Sequence, residues 1–169
     1  MSPIFSSNVF EFTSGSALQT ARIGERLGEL IEMGDLICLQ GELGAGKTCL
    51  AQGVGAGWGA QDVVTSPTFT LIHQLTRAQD DALLYHIDLY RVESEHEAHL
   101  LGLSDLLNGH AACVIEWPER APSILPEACL SIQLTVLDET RRRLTFRAQG
   151  DRYVRLLDDL KRYAFGYNE

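Results

Sequence analysis

Apolar positions along the chain recur with two periods. The runs LICLQ (36–40) and AACVIEW (111–117) are almost wholly apolar and short, which predicts strands buried on both faces. NVFEF (8–12), PTFTLIHQL (67–75) and ALLYHID (82–88) predict three more strands, the last two joined by the polar loop RAQDD. CLSIQLTVL (129–137) and RRLTFRA (142–148) alternate around a turn at 138–140, the pattern of a hairpin. Elsewhere the spacing is helical. In 16–33, Leu18, Ala21, Leu27, Leu30 and Ile31 share one face, with Ser14 or Ser16 to cap the start and Gly34 to end it. Segments 95–107 and 151–165 also read as helices, whereas CLAQGVGAGWG starts as a helix and loses that character in the glycines at 53–59. Strands alternating with helices predict one α/β domain over residues 1–169, with helices covering a sheet and an antiparallel hairpin near the end.

Composition narrows the setting. At 169 residues the chain is long enough for one real core and short for two. The net charge of -9 argues against a dedicated nucleic-acid or membrane-surface protein, which would carry a basic footprint. The opening MSPIFSS has no basic and apolar leader pattern, and no apolar run approaches the ~18 residues of a membrane span. The four cysteines form no C-x-x-C pair, and Cys38 and Cys113 sit in apolar runs, so buried reduced thiols are expected. A cytoplasmic location follows.

The chemistry concentrates in Gly41-Glu42-Leu43-Gly44-Ala45-Gly46-Lys47-Thr48, a full G-x-x-x-x-G-K-T match between an apolar strand and a helix-competent run. Such a P-loop bends so that successive N–H groups converge on phosphate oxygens, with the helix N-terminus behind them. Lys47 supplies an ammonium for the β- and γ-phosphates, and Thr48 a hydroxyl for Mg²⁺.

A P-loop ATPase also needs carboxylates where buried strands emerge beside the phosphates. Glu116 ends ACVIE and Asp88 ends LLYHID. His86 shares the face of Asp88 two residues on, and is either a base or, the favoured reading, a packed strand histidine. Tyr90 and Arg91 hold the loop or face a partner, and Trp117 anchors a loop beside the site. His73, His96, His99 and His110 show no metal-ligand spacing. Two segments stay ambiguous. Residues 65–69 (TSPTF) form either a turn stiffened by Pro67 or a loop that closes on a γ-phosphate. Arg141, Arg142 and Arg143 form either a solvated edge or a site for one arginine to reach nucleotide or partner.

GELGAGKT, TSPTFTL, HIDLYR and IEWPE occur in that order, and together they resemble the TsaE family over about residues 10–150. These are small bacterial ATPases of tRNA threonylcarbamoyladenosine biosynthesis. The resemblance implies a P-loop NTPase-like fold with a mixed sheet and weak intrinsic hydrolysis of ATP to ADP. It implies work with TsaD-like and TsaB-like partners that modify adenosine 37 of tRNAs reading codons that begin with A, so that tRNA is met through the complex. It implies nucleotide contacts from Gly41 to Thr48, magnesium positions at Thr48 and Glu116, and a hydrolytic acid at Asp88. It also implies a mobile loop at 65–69, a nucleotide-side arginine at Arg141, and an adenine lying near 13–17. One departure stands out: the position after the P-loop threonine is commonly a hydroxyl residue and here is Cys49, a weaker donor.

Two other functions fit a P-loop. A small-molecule kinase would carry a lid rich in Arg or Lys, and none is visible. A scaffold in which ATP is bound and not hydrolysed is the other.

Overall fold

The computed structural model describes residues 8–62 and 71–166. Seven strands form one mixed sheet: β1 (Val9–Ser14), β2 (Leu36–Gln40), β3 (Ile72–Thr76), β4 (Leu83–Asp88), β5 (Ala112–Glu116), β6 (Cys129–Val136) and β7 (Arg142–Gln149). Their spatial order is β1-β7-β6-β2-β5-β4-β3. The centre is parallel: β2 lies between β5 and β6, and β4 runs parallel to β5. The edges are antiparallel, with β3 on β4, β6 on β7 and β1 on β7. The helices are α1 (Ala17–Gly28), α2 (Lys47–Trp58), α3 (Glu95–Leu100), α4 (Leu103–Leu106) and α5 (Asp151–Phe165).

Strand alternation divides the core. Ile37, Leu39, Leu84 and Val114 point to the α1, α2 and α5 layer, while Leu36, Cys38, Ile87 and Ile115 point to the α3 and α4 layer. All four cysteines are free thiols, and Cys38, Cys113 and Cys129 are buried.

Three boundaries differ from those the pattern predicts. Ser16 caps α1, its hydroxyl accepting from Gln19 N–H at 3.1 Å, but the helix stops at Gly28 rather than Met33. The N–H groups of Leu30 and Ile31 both return to the Leu27 carbonyl, and Glu32 N–H donates to Asp35 Oδ2, which turns the chain into β2. The glycines at 53–59 do not break α2, which runs to Trp58. They are where α1 and α2 touch: a Cβ on Gly53 would lie 2.1 Å from the Ala21 carbonyl oxygen, and one on Gly57 1.9 Å from that of Glu25. The predicted helix 95–107 is two short ones, because Gly102 between them takes φ +76. The predicted strand 67–75 begins in part outside the described residues; its described portion is Ile72–Thr76.

Candidate functional site

The segment 41–46 links the end of β2 to the start of α2. Gly46 is the N-cap of α2 at φ +103, where no side chain caps the helix, so its first N–H groups are left for a ligand. A Cβ on Gly41 would lie 2.6 Å from the Leu134 carbonyl oxygen of β6, so only glycine lets the loop leave the sheet there. Behind this bend lies a cleft of about 400 Å³. It is lined by Leu43, Gly44, Gly46, Lys47 and Thr48 on one side, and by Asp88, Tyr90, Arg91, Glu116 and Trp117 on the other. Gly41, Glu42 and Ala45 complete the loop backbone; Glu42 and Leu43 are exposed, and Ala45 is buried.

Lys47 is 5 % exposed, and its Nζ donates to the carbonyls of Gly41 at 2.6 Å and Glu42 at 2.8 Å. The indole of Trp117 covers it, with 4.2 Å from Nζ to the ring centroid. Burial pushes the ammonium below its ordinary range, against the pull of Glu116, Glu119, Asp88 and Glu42. Trp117 itself holds φ 59, the left-handed region, unlike every other non-glycine residue described. Its amide donates to the Leu39 carbonyl and its ring stands 5.0 Å from that of Tyr90. The strained backbone therefore turns the indole over the P-loop.

Parallel register sets Asp88 beside Glu116 at the sheet's end. Thr48 Oγ1 donates to Glu116 Oε1 at 2.9 Å, and His86 Nε2 lies 2.6 Å from Glu116 Oε2. Glu116 is 2 % and His86 1 % exposed. Asp88 is half-buried and accepts from Tyr90 N–H at 3.0 Å. Burial pushes its carboxyl up, the Tyr90 N–H opposes, and the Glu116 charge adds to the rise.

Arg141 does not reach the cleft. It is exposed and turned onto the hairpin turn, its Nε donating to Asp138 Oδ2 at 2.6 Å. Arg142 reaches the P-loop instead, donating from Nε to the Ala45 carbonyl at 3.2 Å and from Nη2 to that of Gly44 at 3.5 Å. The signal for this was available: in β7, Arg142 alternates with Leu144 and Phe146, which face the α1 and α2 layer. Arg142 also lines a second cavity of about 210 Å³ with Ser16, Ala17, Thr20, Gly46 and Cys49. There the Cys49 thiol donates to the Ala17 carbonyl at 3.2 Å. The segment 65–69 lies outside the described residues. The link from His86 to Glu116 was missed, because the sequence does not say which strands are neighbours.

A strand that feeds a glycine-lined bend into an uncapped helix, within a sheet whose central strands run parallel, defines a P-loop NTPase-like fold. A family model described as threonylcarbamoyl adenosine biosynthesis protein TsaE matches residues 14–144. Similar proteins include the tRNA threonylcarbamoyladenosine biosynthesis protein TsaE of Treponema pallidum (strain Nichols), 44 % identical over 132 residues, covering 78 % of this chain and 96 % of the relative. The Bacillus subtilis (strain 168) protein of the same name is 37 % identical over 146 residues, covering 86 % and 89 %. Among solved structures, Bacillus subtilis YdiB superposes with a TM-score of 0.76 at 29 % identity, over 92 % of this chain and 96 % of that one. The chain belongs to the TsaE family.

Proposed function

We propose that this chain, as one ATPase domain, binds ATP in the cleft behind residues 41–48 and hydrolyses it slowly. In this reading it serves threonylcarbamoylation of adenosine 37 in tRNAs reading codons that start with A. The observation that carries the reading is the convergence of Lys47, Thr48, Glu116 and Asp88 on one glycine-lined cleft. The uncapped N–H groups of α2 receive phosphate oxygens, and Lys47 turns from the Gly41 and Glu42 carbonyls to the β- and γ-phosphates.

The donor set fits Mg²⁺, which takes oxygen ligands. The one hydroxyl hydrogen of Thr48 is committed to Glu116 Oε1, so its lone pairs are left for a hard cation, with Glu116 beside them. Mg²⁺, when bound, draws charge off the β- and γ-oxygens. Asp88 orients the attacking water; the raised affinity of its carboxylate for hydrogen suits it to accept that hydrogen bond. Water oxygen bonds to the γ-phosphorus while one of its protons passes to a γ-phosphate oxygen, the bond from that phosphorus to the β–γ bridging oxygen breaks, and ADP and phosphate leave. The cavity beside Cys49 and Arg142 supports an adenine there, and it favours Arg142 over Arg141 as the nucleotide-side arginine.

The reading includes partners of the TsaD and TsaB kinds in the cytoplasm, with tRNA met through them; the relatives' names support the tRNA threonylcarbamoyladenosine pathway. Among the described residues, no helix is long and apolar enough to cross a membrane. The test is calorimetric titration with Mg·ATP, followed by phosphate-release assays alone and with TsaB-like and TsaD-like proteins. Binding lost in Lys47→Ala, and turnover lost in Asp88→Ala while binding persists, are the expected results. If wild type takes up no magnesium nucleotide, the proposal fails. Undiminished tRNA modification with Asp88→Ala would leave ATP as a scaffold ligand only.

A further inference from the structure

Behind Glu116, in the core beneath the cleft, stands a group that the phosphate chemistry does not use directly. His86 stands on β4 two residues before Asp88, and on the same face. It is 1 % exposed, in a core otherwise filled by Leu84, Val114 and other apolar side chains. A carboxylate oxygen has no hydrogen to give, so at 2.6 Å the ring nitrogen facing Glu116 Oε2 is the donor. The imidazole therefore carries its hydrogen on Nε2.

The opposite nitrogen carries the second observation. His86 Nδ1 is buried and without a partner among the described residues, and so is His73 Nε2. These two residues are directly opposite in the β3–β4 register, with ring centroids 6.3 Å apart at an edge-on angle of 61°. A ring fixed with its hydrogen on Nε2 offers Nδ1 as an acceptor. His73 Nε2, also unpaired, belongs to the neighbouring ring, and one water between the two rings would pair both nitrogens.

We infer that His86, backed by His73, is a positioning residue that fixes the carboxylate of Glu116 for Mg²⁺. The inference rests on the reading of Thr48 and Glu116 as the magnesium positions. Thr48 holds one oxygen of Glu116 and His86 holds the other, so the carboxylate is pinned at both ends and cannot rotate away. An aromatic ring wedged between packed strands has little rotational freedom, so it sets direction as well as distance. Packing alone would be met by any side chain of similar size, whereas this role requires a hydrogen at the Nε2 position.

Three proteins separate the cases: wild type, His86→Phe and His86→Gln, whose amide nitrogen can replace Nε2–H. ATP affinity is measured in EDTA and across a Mg²⁺ titration, with kcat and KM at saturating metal. His86→Phe is expected to bind ATP in EDTA as wild type does. Its Mg²⁺ midpoint should rise about 10- to 100-fold and its kcat fall on the same scale, with KM for Mg·ATP little changed. His86→Gln should recover most of both. A Phe variant with an unchanged Mg²⁺ midpoint overturns the inference, as does a Gln variant no better than Phe. Should the Phe variant fail to fold, long-range ¹H–¹⁵N correlation of the wild-type imidazole decides: hydrogen on Nε2 supports the inference, and hydrogen on Nδ1 alone overturns it. Wild type that binds no Mg·ATP would sink the reading of the cleft itself.

Discussion

Asp138 shows how much one residue organises at the hairpin turn. Its Oδ1 accepts the N–H groups of Thr140 and Arg141, at 3.1 and 2.8 Å, and its Oδ2 takes the Arg141 guanidinium. These contacts, the Arg141 N–H first and its side chain second, hold the carboxyl at about 2, below its ordinary 3.8. The folded state thus favours the ionised form. The contribution to stability is present above the unfolded value and is lost as pH falls from 3.8 toward 2. An NMR titration should place the Asp138 midpoint near 2, and Asp138→Asn should flatten the acid limb of the stability curve in that window. The same contacts explain why the sequence left the choice among the arginines open. Asp138-x-x-Arg141 is a self-contained turn, so Arg141 is occupied locally, and Arg142, one position on, falls on the face toward the P-loop. By contrast the placement of Gly41 to Thr48, Asp88 and Glu116 around a cleft was legible, because motif and strand ends carry it.

At the scale of elements, the α1–α2 contact decides how glycine is to be read. Gly24 and Gly28 of α1 face Leu50 and Val54 of α2, and Gly53 and Gly57 of α2 face Ala21 and Glu25 of α1. Intrinsic propensity alone says that Gly→Ala within a helix stabilises by about 1 kcal/mol. Here the sign reverses. A methyl on Gly57 would lie 1.9 Å from a backbone oxygen, which cannot move without shifting the whole helix. Gly57→Ala should destabilise by about 2 kcal/mol or more, read as a lower urea midpoint. Sequence pattern predicted the existence of nearly every described element, since apolar periodicity depends only on local spacing. It failed where a glycine serves a neighbouring helix, because that contact is tertiary, and where Gly102 splits a run that is otherwise helical.

Over the whole molecule, the end of the sheet remote from the cleft is fastened by Arg152, which pairs with Asp35 and, at 3.8 Å, with Glu32. Asp35, 4 % exposed at the entry to β2, takes Arg152 of α5 through Nε at 2.9 Å and Nη2 at 2.6 Å. Arg152 also donates to the Leu30 carbonyl, so α5, β2 and the exit of α1 meet there. Arg152 keeps partial contact with water, which tempers the pair. Asp35→Ala should therefore lower stability by about 2 kcal/mol in denaturant titrations and leave nucleotide affinity unchanged. Strand order lay beyond the sequence for a related reason: which buried strand neighbours which is settled by packing, and the composition of LICLQ and ACVIE is nearly interchangeable.

The seam between α1 and α2 has a mechanical corollary. With backbone set against backbone at four glycines, the walls carried by Ser16, Ala17 and Thr20 and by Gly46 to Cys49 form one jaw. That jaw has no independent joint. Among the described residues, closure over a guest falls to the opposing jaw, where Asp88, Tyr90, Arg91 and Trp117 ride on strand ends and turns.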